Sequence, residues 1–204
     1  MKKFQPKISA LIITYNEVVH VDELIKHLNF VDEIIVIDAF STDGTFEKLA
    51  TYPQVKTIQR KFLNFSDQRN FAIKQATKEW ILFIDADERI TPKLKDNILE
   101  AVKNKTNTIA YQFPRKFVFK NKIMRFSGLQ TDKVFRLFKN GSATYFHDKT
   151  VHEQLDVKGK KAIMKNYMLH YSFSGVNHYK NKIEHYALLK AQELFKKGKK
   201  PNGY

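Results

Sequence analysis

Asp85, Asp87 and Glu88 close the stretch WILFIDADERI, residues 80–90, in which Trp80, Ile81, Leu82, Phe83 and Ile84 come first and Arg89 comes behind the acids. Carboxylates this close repel one another unless a positive charge lies among them. Two aspartates one residue apart at the end of a buried strand can both turn toward one ligand. Mg2+ and Mn2+ accept carboxylate and phosphate oxygens together, and either would neutralise such a group. The bare pattern also fits a strand that runs into the acidic first turn of a helix. Two earlier segments share the form of an apolar run with a polar end: ISALIITYNE (8–17) and EIIVIDAFSTDGT (33–45).

The elements that must carry these ends alternate. Apolar runs over 8–14, 33–38, 55–60 and 79–85 read as strands. The spacing predicts helices over 18–28, 41–50, 66–76 and 91–103, the third with Ser66 as its cap and the last with Thr91 as cap and Pro92 at the first helical position. Strands that are apolar throughout and separated by helices indicate a mostly parallel, doubly wound sheet covered on both faces. Right-handed crossovers then bring residues 14–17, 38–43 and 85–88 to one edge, where open sheets bind ligands. Past Ile109 the character changes. Residues 109–124 are aromatic and β-like, and 132–146 read as strand, Asn-Gly turn, strand. Residues 177–197 read as a helix with Ile183, Tyr186, Leu189 and Leu194 on its apolar face.

The bulk numbers narrow the function. The 204 residues contain no cysteine, which excludes disulfides, zinc thiolate sites and a cysteine nucleophile, and a reducing cytoplasmic setting fits. The start of the chain reads as a strand rather than a signal peptide, and no apolar stretch approaches the ~20 residues of a membrane span. Net charge is +15, from 36 Lys and Arg against 21 Asp and Glu. Such an excess implies either a solvated basic surface or an anionic partner: nucleic acid, an anionic membrane, or a phosphorylated substrate.

LIITYNE, IIVIDAFSTDGT, SDQRNFAIKQA and WILFIDADE occur in this order at regular intervals, followed by Arg136–Phe138 (RLF) and Val151–Glu153 (VHE). With these segments the chain resembles family 2 glycosyltransferases of the GT-A fold, in particular the lipopolysaccharide-core β-glucosyltransferase subgroup, over about residues 7–175. The resemblance implies a Rossmann-like α/β domain over 1–176. Within it, 1–105 is the nucleotide-sugar half and 106–176 the acceptor half with extra strands, and 177–204 is a basic amphipathic helix and tail. It implies that Thr14, Tyr15 and Glu17 lie against the base and ribose, and that Asp38 binds uracil or ribose. Asp67, Arg69 and Asn70 would line the donor pocket, Arg69 being suited to phosphate. Asp85 would reach the ribose or a metal-bound water, and Asp87 would hold Mg2+ or Mn2+. Glu88 and Arg89 are expected to be a charge pair at a helix entry.

An inverting transfer needs a base for the acceptor hydroxyl. Many family members carry it in a Glu-Asp pair, which is absent here after Asp87. The candidates are Glu153, which is favoured, and Asp132. His152 is a candidate metal ligand or phosphate contact. His147, His170 and His178 have no distinguishing spacing. The implied partners are a UDP-hexose donor and a lipid-linked or lipopolysaccharide-core acceptor at the inner face of the cytoplasmic membrane, with an anionic membrane surface and no nucleic acid. The subgroup's members continue past the point where this sequence stops, so the chain is expected to be longer than 204 residues. The competing classes fit less well. A Toprim-like nucleic-acid enzyme expects glycine where Val18 follows Glu17. A haloacid-dehalogenase-type phosphatase expects its D-x-D after the first strand. A non-catalytic nucleotide-sugar module would not need the acidic cluster.

Overall fold

The computed structural model describes residues 7–104, 106–125, 132–146 and 155–172, and single positions 175, 180, 184, 187, 188, 191, 194, 195 and 198. Its centre is a sheet in the order β3 (Val55–Gln59), β2 (Glu33–Asp38), β1 (Ile8–Thr14), β4 (Trp80–Phe83), β8 (Lys133–Lys139), β6 (Thr108–Phe119), β12 (Met168–His170), β5 (Glu88–Ile90). The first four strands are parallel, β8 is antiparallel to both β4 and β6, and β12 runs parallel to β6. Thus β6 and β12 point the same way as β4, and their C-terminal ends reach the same edge. Two further strands pair with β6: β7 (Lys122–Ile123), antiparallel, and β11 (Lys160–Ile163), parallel.

Alternation along the strands splits the core in two. Ile8, Ala10, Ile12, Ile34, Val36, Leu82 and Ile84 face helices α1 (Val21–His27), α2 (Thr45–Ala50) and α4 (Pro92–Lys103), which contribute Val21, Leu24, Ile25, Leu49, Leu94, Ile98 and Val102. Leu11, Ile35, Ile37, Ile81, Phe83 and Phe138 face the other way. There they meet α3 (Phe65–Gln75) and a small separate sheet of β9 (Ala143–Tyr145) and β10 (Leu155–Val157). Strands β1, β2 and β4 read as unbroken apolar runs because both faces are covered.

Helix α4 starts as its sequence predicts, with the Thr91 hydroxyl accepting from Leu94 N–H and Pro92 in the first turn. The cap of α3 is Asn64 rather than Ser66; its Oδ1 accepts from Asp67 N–H at 2.8 Å, and Ser66 is buried within the first turn. The strand–turn–strand over 132–146 is present, but its arms do not pair with each other. β8 inserts between β4 and β6 and β9 joins β10, because the three-residue β9 is drawn to α3 by Asn70, whose amide donates to Tyr145 C=O and accepts from Tyr145 N–H, both at 2.9 Å. Glu88 and Arg89 do not enter a helix; they lie in β5, opposite His170 and Leu169 of β12. In the C-terminal segment the described positions between Lys180 and Phe195 are helical, with Leu194 half-buried and Leu188 and Phe195 exposed; Ile183, Tyr186 and Leu189 lie outside the described residues.

Phe138 is fully buried in β8 between the two halves of the sheet, whereas Phe62 is exposed. Phe138→Ala is expected to lower unfolding free energy by about 3–5 kcal/mol. Phe62→Ala should stay within about 0.5 kcal/mol. Urea denaturation of the two variants checks both.

Candidate active site

The ends of β1 and β2 are stitched together by the turns that follow them. Ala39 N–H donates to Thr14 C=O, Asn16 N–H to Ser41 Oγ, Thr42 N–H to Asn16 Oδ1, Glu17 N–H to Thr45 Oγ1 and Val18 N–H to Asp43 Oδ2, all within 3.1 Å. Asp43 also accepts from the Thr45 N–H and hydroxyl. Burial alone would raise its carboxyl pKa, but these donors hold it below the ordinary value. Asp38 is fully buried and receives Ser41 N–H at 3.0 Å and the Ser41 hydroxyl at 2.5 Å. Asn16 and Phe40 both have positive φ, 56° and 58°. The left-handed region is tolerable for asparagine and uncommon for an exposed phenylalanine, and such positions concentrate at ligand sites. Thr14 is buried, while Tyr15 is exposed beside it.

Next along the edge comes the acidic stretch. Asp85 is held by two buried arginines: Arg69 of α3, whose Nη2 donates at 2.8 Å, and Arg136 of β8. Arg136 also donates to Glu88 at 2.8 Å. Glu88, with no exposed surface, takes a second arginine, Arg115 of β6, at 3.3 Å, and its other oxygen accepts Asp85 N–H at 3.1 Å. Arg115 is paired in turn with Asp132 through Nε at 2.7 Å. Burial works against the charge on Asp85, yet Arg136 and Arg69 hold its carboxyl far below the usual range. Burial likewise works against Arg136, and Asp85 with Glu88 keeps it protonated. The positive charge beside Asp85 and Glu88 is therefore supplied by arginines of the chain itself, and for Glu88 these are Arg115 and Arg136 rather than the expected Arg89.

Asp87 is placed differently. Its Oδ2 lies 3.1 Å from His170 Nε2, and Tyr171 N–H donates to its carbonyl at 2.8 Å. His170 arrives because β12 runs with β4 and ends opposite Glu88, and its ring packs on Phe117 at 4.7 Å. Arg89 cinches the turn from behind. Its Nη1 donates to Ala86 C=O at 2.6 Å and Glu88 C=O at 2.8 Å, and its Nη2 to His20 C=O at 3.2 Å. Burial pushes the Arg89 pKa down.

Asp87 and His170 fit a divalent cation. They bring one carboxylate oxygen and one imidazole nitrogen to the sheet edge, a donor pair that suits Mn2+ and leaves positions for phosphate oxygens and water. Among the described residues no group of three or more His, Cys, Asp or Glu side chains forms a closed metal cage.

Of the residues expected from sequence, Thr14, Tyr15, Glu17, Asp38, Asp85 and Asp87 share this edge. Arg69 is buried against Asp85 and over the rings of Phe83 and Tyr145, at 4.7 and 5.4 Å. Asp67 is paired with Arg60 at 2.5 Å, and Asn70 is occupied by the Tyr145 backbone. Asp132 has Oδ2 taken by Arg115. His152 and Glu153 lie outside the described residues. Sequence reasoning missed Arg115, Arg136 and His170. Arg136 sat in the quoted RLF without a role; His170 carried no local signal, since only strand pairing brings it to Asp87.

Comparison with known proteins follows the same lines. The profile described as Glycosyl transferase family 2 matches residues 9–167. An uncharacterised glycosyltransferase of Rickettsia felis is 33% identical over 97% of this chain and 74% of its own length. The lipopolysaccharide core biosynthesis glycosyltransferase LpsC of Rhizobium meliloti is 25% identical over 97% of this chain and 75% of its own. Among solved structures, S. aureus TarS in complex with UDP-GlcNAc superposes with a TM-score of 0.61 at 18% identity, covering 85% of this chain and 60% of TarS. The Pyrobaculum calidifontis mannosyltransferase PcManGT, in complex with GDP-Man and Mn2+, gives 0.61 at 18%, over 84% of this chain and 59% of that one. This chain therefore spans about three fifths of those solved chains, and they share its GT-A fold.

Asp85 is held ionised more firmly in the folded chain than in the unfolded one. Its contribution to stability is complete above about pH 4 and is lost as pH falls below that. Arg136→Met leaves Asp85 and Glu88 facing each other with less positive charge between them. It should cost about 3–5 kcal/mol and move acid unfolding to higher pH. Urea and acid titrations followed by circular dichroism check this; parent-like curves would mean the cluster does not hold the fold.

Proposed function

The chain belongs to glycosyl transferase family 2, and from that premise we propose that it is an inverting, metal-dependent enzyme that moves a hexose from a UDP-linked donor to a lipid-linked or lipopolysaccharide-core sugar. The observation that carries this reading is the division of labour at the end of β4. Asp85 is neutralised by Arg69 and Arg136, while Asp87, two residues on, faces His170 at 3.1 Å. The first carboxylate is fixed by arginines; the second, beside His170, is the one we assign to a cation.

A divalent cation held by Asp87 and His170 would neutralise charge that develops on the leaving diphosphate. The chain's own residues do the remainder. The stitched turns after β1 and β2 bind the nucleoside, with Tyr15 against the base and Asp38 fixing the turn that receives it. Arg69 and Arg136 hold Asp85 toward the ribose. The Arg89 clamp keeps the Ala86 peptide, and so both flanking aspartates, in one orientation. Glu153 is the base that takes the proton of the acceptor hydroxyl; Asp132 is the weaker candidate because Arg115 already occupies its Oδ2. Support for the acceptor class comes from the likeness to LpsC. We assign residues 1–176 as the catalytic domain and 177–204 as a basic appendage. The protein works at the inner face of the cytoplasmic membrane. Among the described residues no helix is long and apolar enough to cross a membrane.

Two measurements test the reading. Asp87→Ala and His170→Ala should each abolish the manganese-dependent part of UDP binding in calorimetry while leaving the circular dichroism spectrum unchanged. UDP binding in manganese as tight as the parent's would remove them from the site. Glu153→Gln should lower turnover about 10²–10⁴-fold with donor affinity nearly unchanged. If Glu153→Gln stays active and Asp132→Asn does not, the base is Asp132.

A further inference from the structure

Between Glu100 and Asp132 the sequence contains no acidic residue and seven basic ones: Lys103, Lys105, Arg115, Lys116, Lys120, Lys122 and Arg125. The fold draws five of these into one hairpin. Strand β6 is 12 residues long and turns back at Lys120–Asn121 into β7, with Phe119 opposite Lys122 and Val118 opposite Ile123. Lys120 and Asn121 have φ of 46° and 61°. Such a pair makes the tight two-residue turn whose twist matches that of paired strands, and asparagine or glycine is its usual occupant. A lysine in the left-handed region is an uncommon choice, and here it sets an ammonium group at the apex.

The two basic residues at the base of the hairpin are committed. Arg115 is bound to Asp132 and Glu88, and Lys116 Nζ sits 3.9 Å over the ring of Tyr167. The three at the tip are not. Lys120, Lys122 and Arg125 are exposed, and among the described residues none of them has a carboxylate partner. Apolar groups stand among them: Ile123 is 38% exposed, and Phe119 is half-buried beneath Lys120. Because β6 runs with β4, the tip projects from the edge that carries Asp85 and Asp87. At the β3 end of that edge, Phe62, Leu63 and Phe65 are also exposed.

We propose that the β6–β7 hairpin is the surface by which this protein docks on an anionic lipid bilayer, with Lys120, Lys122 and Arg125 at the headgroups and Ile123 at the acyl boundary. Charge complementarity selects an anionic surface, and the apolar side chains interleaved at the tip select a bilayer over a nucleic acid. Docking through this tip turns the sheet edge toward the membrane, where a lipid-linked acceptor would be presented. In that role the proposal rests on the acceptor class proposed above, but its test does not use the reaction.

The test is co-sedimentation of the 204-residue chain with vesicles of phosphatidylcholine alone or mixed in equal parts with phosphatidylglycerol, at low and high salt. A short DNA duplex serves as competitor. The variants are Lys120→Asn/Lys122→Gln/Arg125→Gln, which should keep the turn, and Ile123→Ser. The parent should bind only the mixed vesicles, and high salt should release it. The triple variant should lose on the order of 100-fold in partitioning, and Ile123→Ser several-fold, with manganese-dependent UDP binding unchanged in both. Parent-like sedimentation of the triple variant overturns the assignment, as does equal binding to phosphatidylcholine alone. Displacement from the vesicles by duplex overturns it in favour of nucleic acid. Loss of vesicle binding with UDP binding intact supports the hairpin; loss of UDP binding in the parent would count against the catalytic reading instead.

Discussion

Glu88 has no contact with solvent, and Asp85 next to it is held by buried arginines. An ionised carboxylate cannot stay in such a place without cations in contact. That requirement fixes the relative positions of four segments distant in sequence. Arg69 anchors α3 against the end of β4. Arg136 fixes the register of β8 beside β4, and Arg115 brings β6 to the same point. Arg69 lies on a buried face of α3 shared with Ser66, Gln68 and Ala72, where α1 and α4 bury valine, leucine and isoleucine. The apolar core makes the sheet stable, but the charge cluster decides how its parallel half and its added strands meet.

The two aspartates of the D-x-D have separate surroundings although only Ala86 lies between them. Side chains on a strand end point to opposite sides at successive positions and to one side at alternate ones, so Asp85 and Asp87 would ordinarily share an environment. They do not, because the chain turns at Ala86 under the grip of Arg89 and enters β5. Asp85 is left to the arginines of α3 and β8, and Asp87 to the end of β12. A surface charge pair would have had no such effect. The burial of Arg89 makes its hydrogen bonds to backbone carbonyls a rigid part of the turn.

The parallel half was legible in the sequence because its signals are local. The runs 8–14 and 33–38 became β1 and β2 to the residue, and Thr91 with Pro92 marked α4. The three polar strand ends converged because strand direction follows from crossover handedness. The added half was less legible. Nothing in 132–146 reveals that its two arms belong to different sheets, since that depends on Asn70 catching the backbone of Tyr145, 75 positions away. His170 and Arg136 escaped notice for the same reason. Their partners are 83 and 51 positions distant, and their types are common in surfaces and cores alike. Ser66 reads as the cap of α3 but Asn64 holds that place, because the cap depends on where the chain leaves β3 as well as on residue type.

The cluster of Asp85, Glu88 and Asp132 with Arg69, Arg115 and Arg136 also constrains how this chain can diverge. Each member touches another, and Glu88, Arg69 and Arg136 do so with little exposed surface, so loss of one strands a charge on its neighbour. Exchange of the whole set for apolar residues of similar volume would be tolerable for the fold, yet no sequence of single substitutions reaches it without crossing states that carry an unmatched buried charge. These six positions should therefore change together or stay as they are.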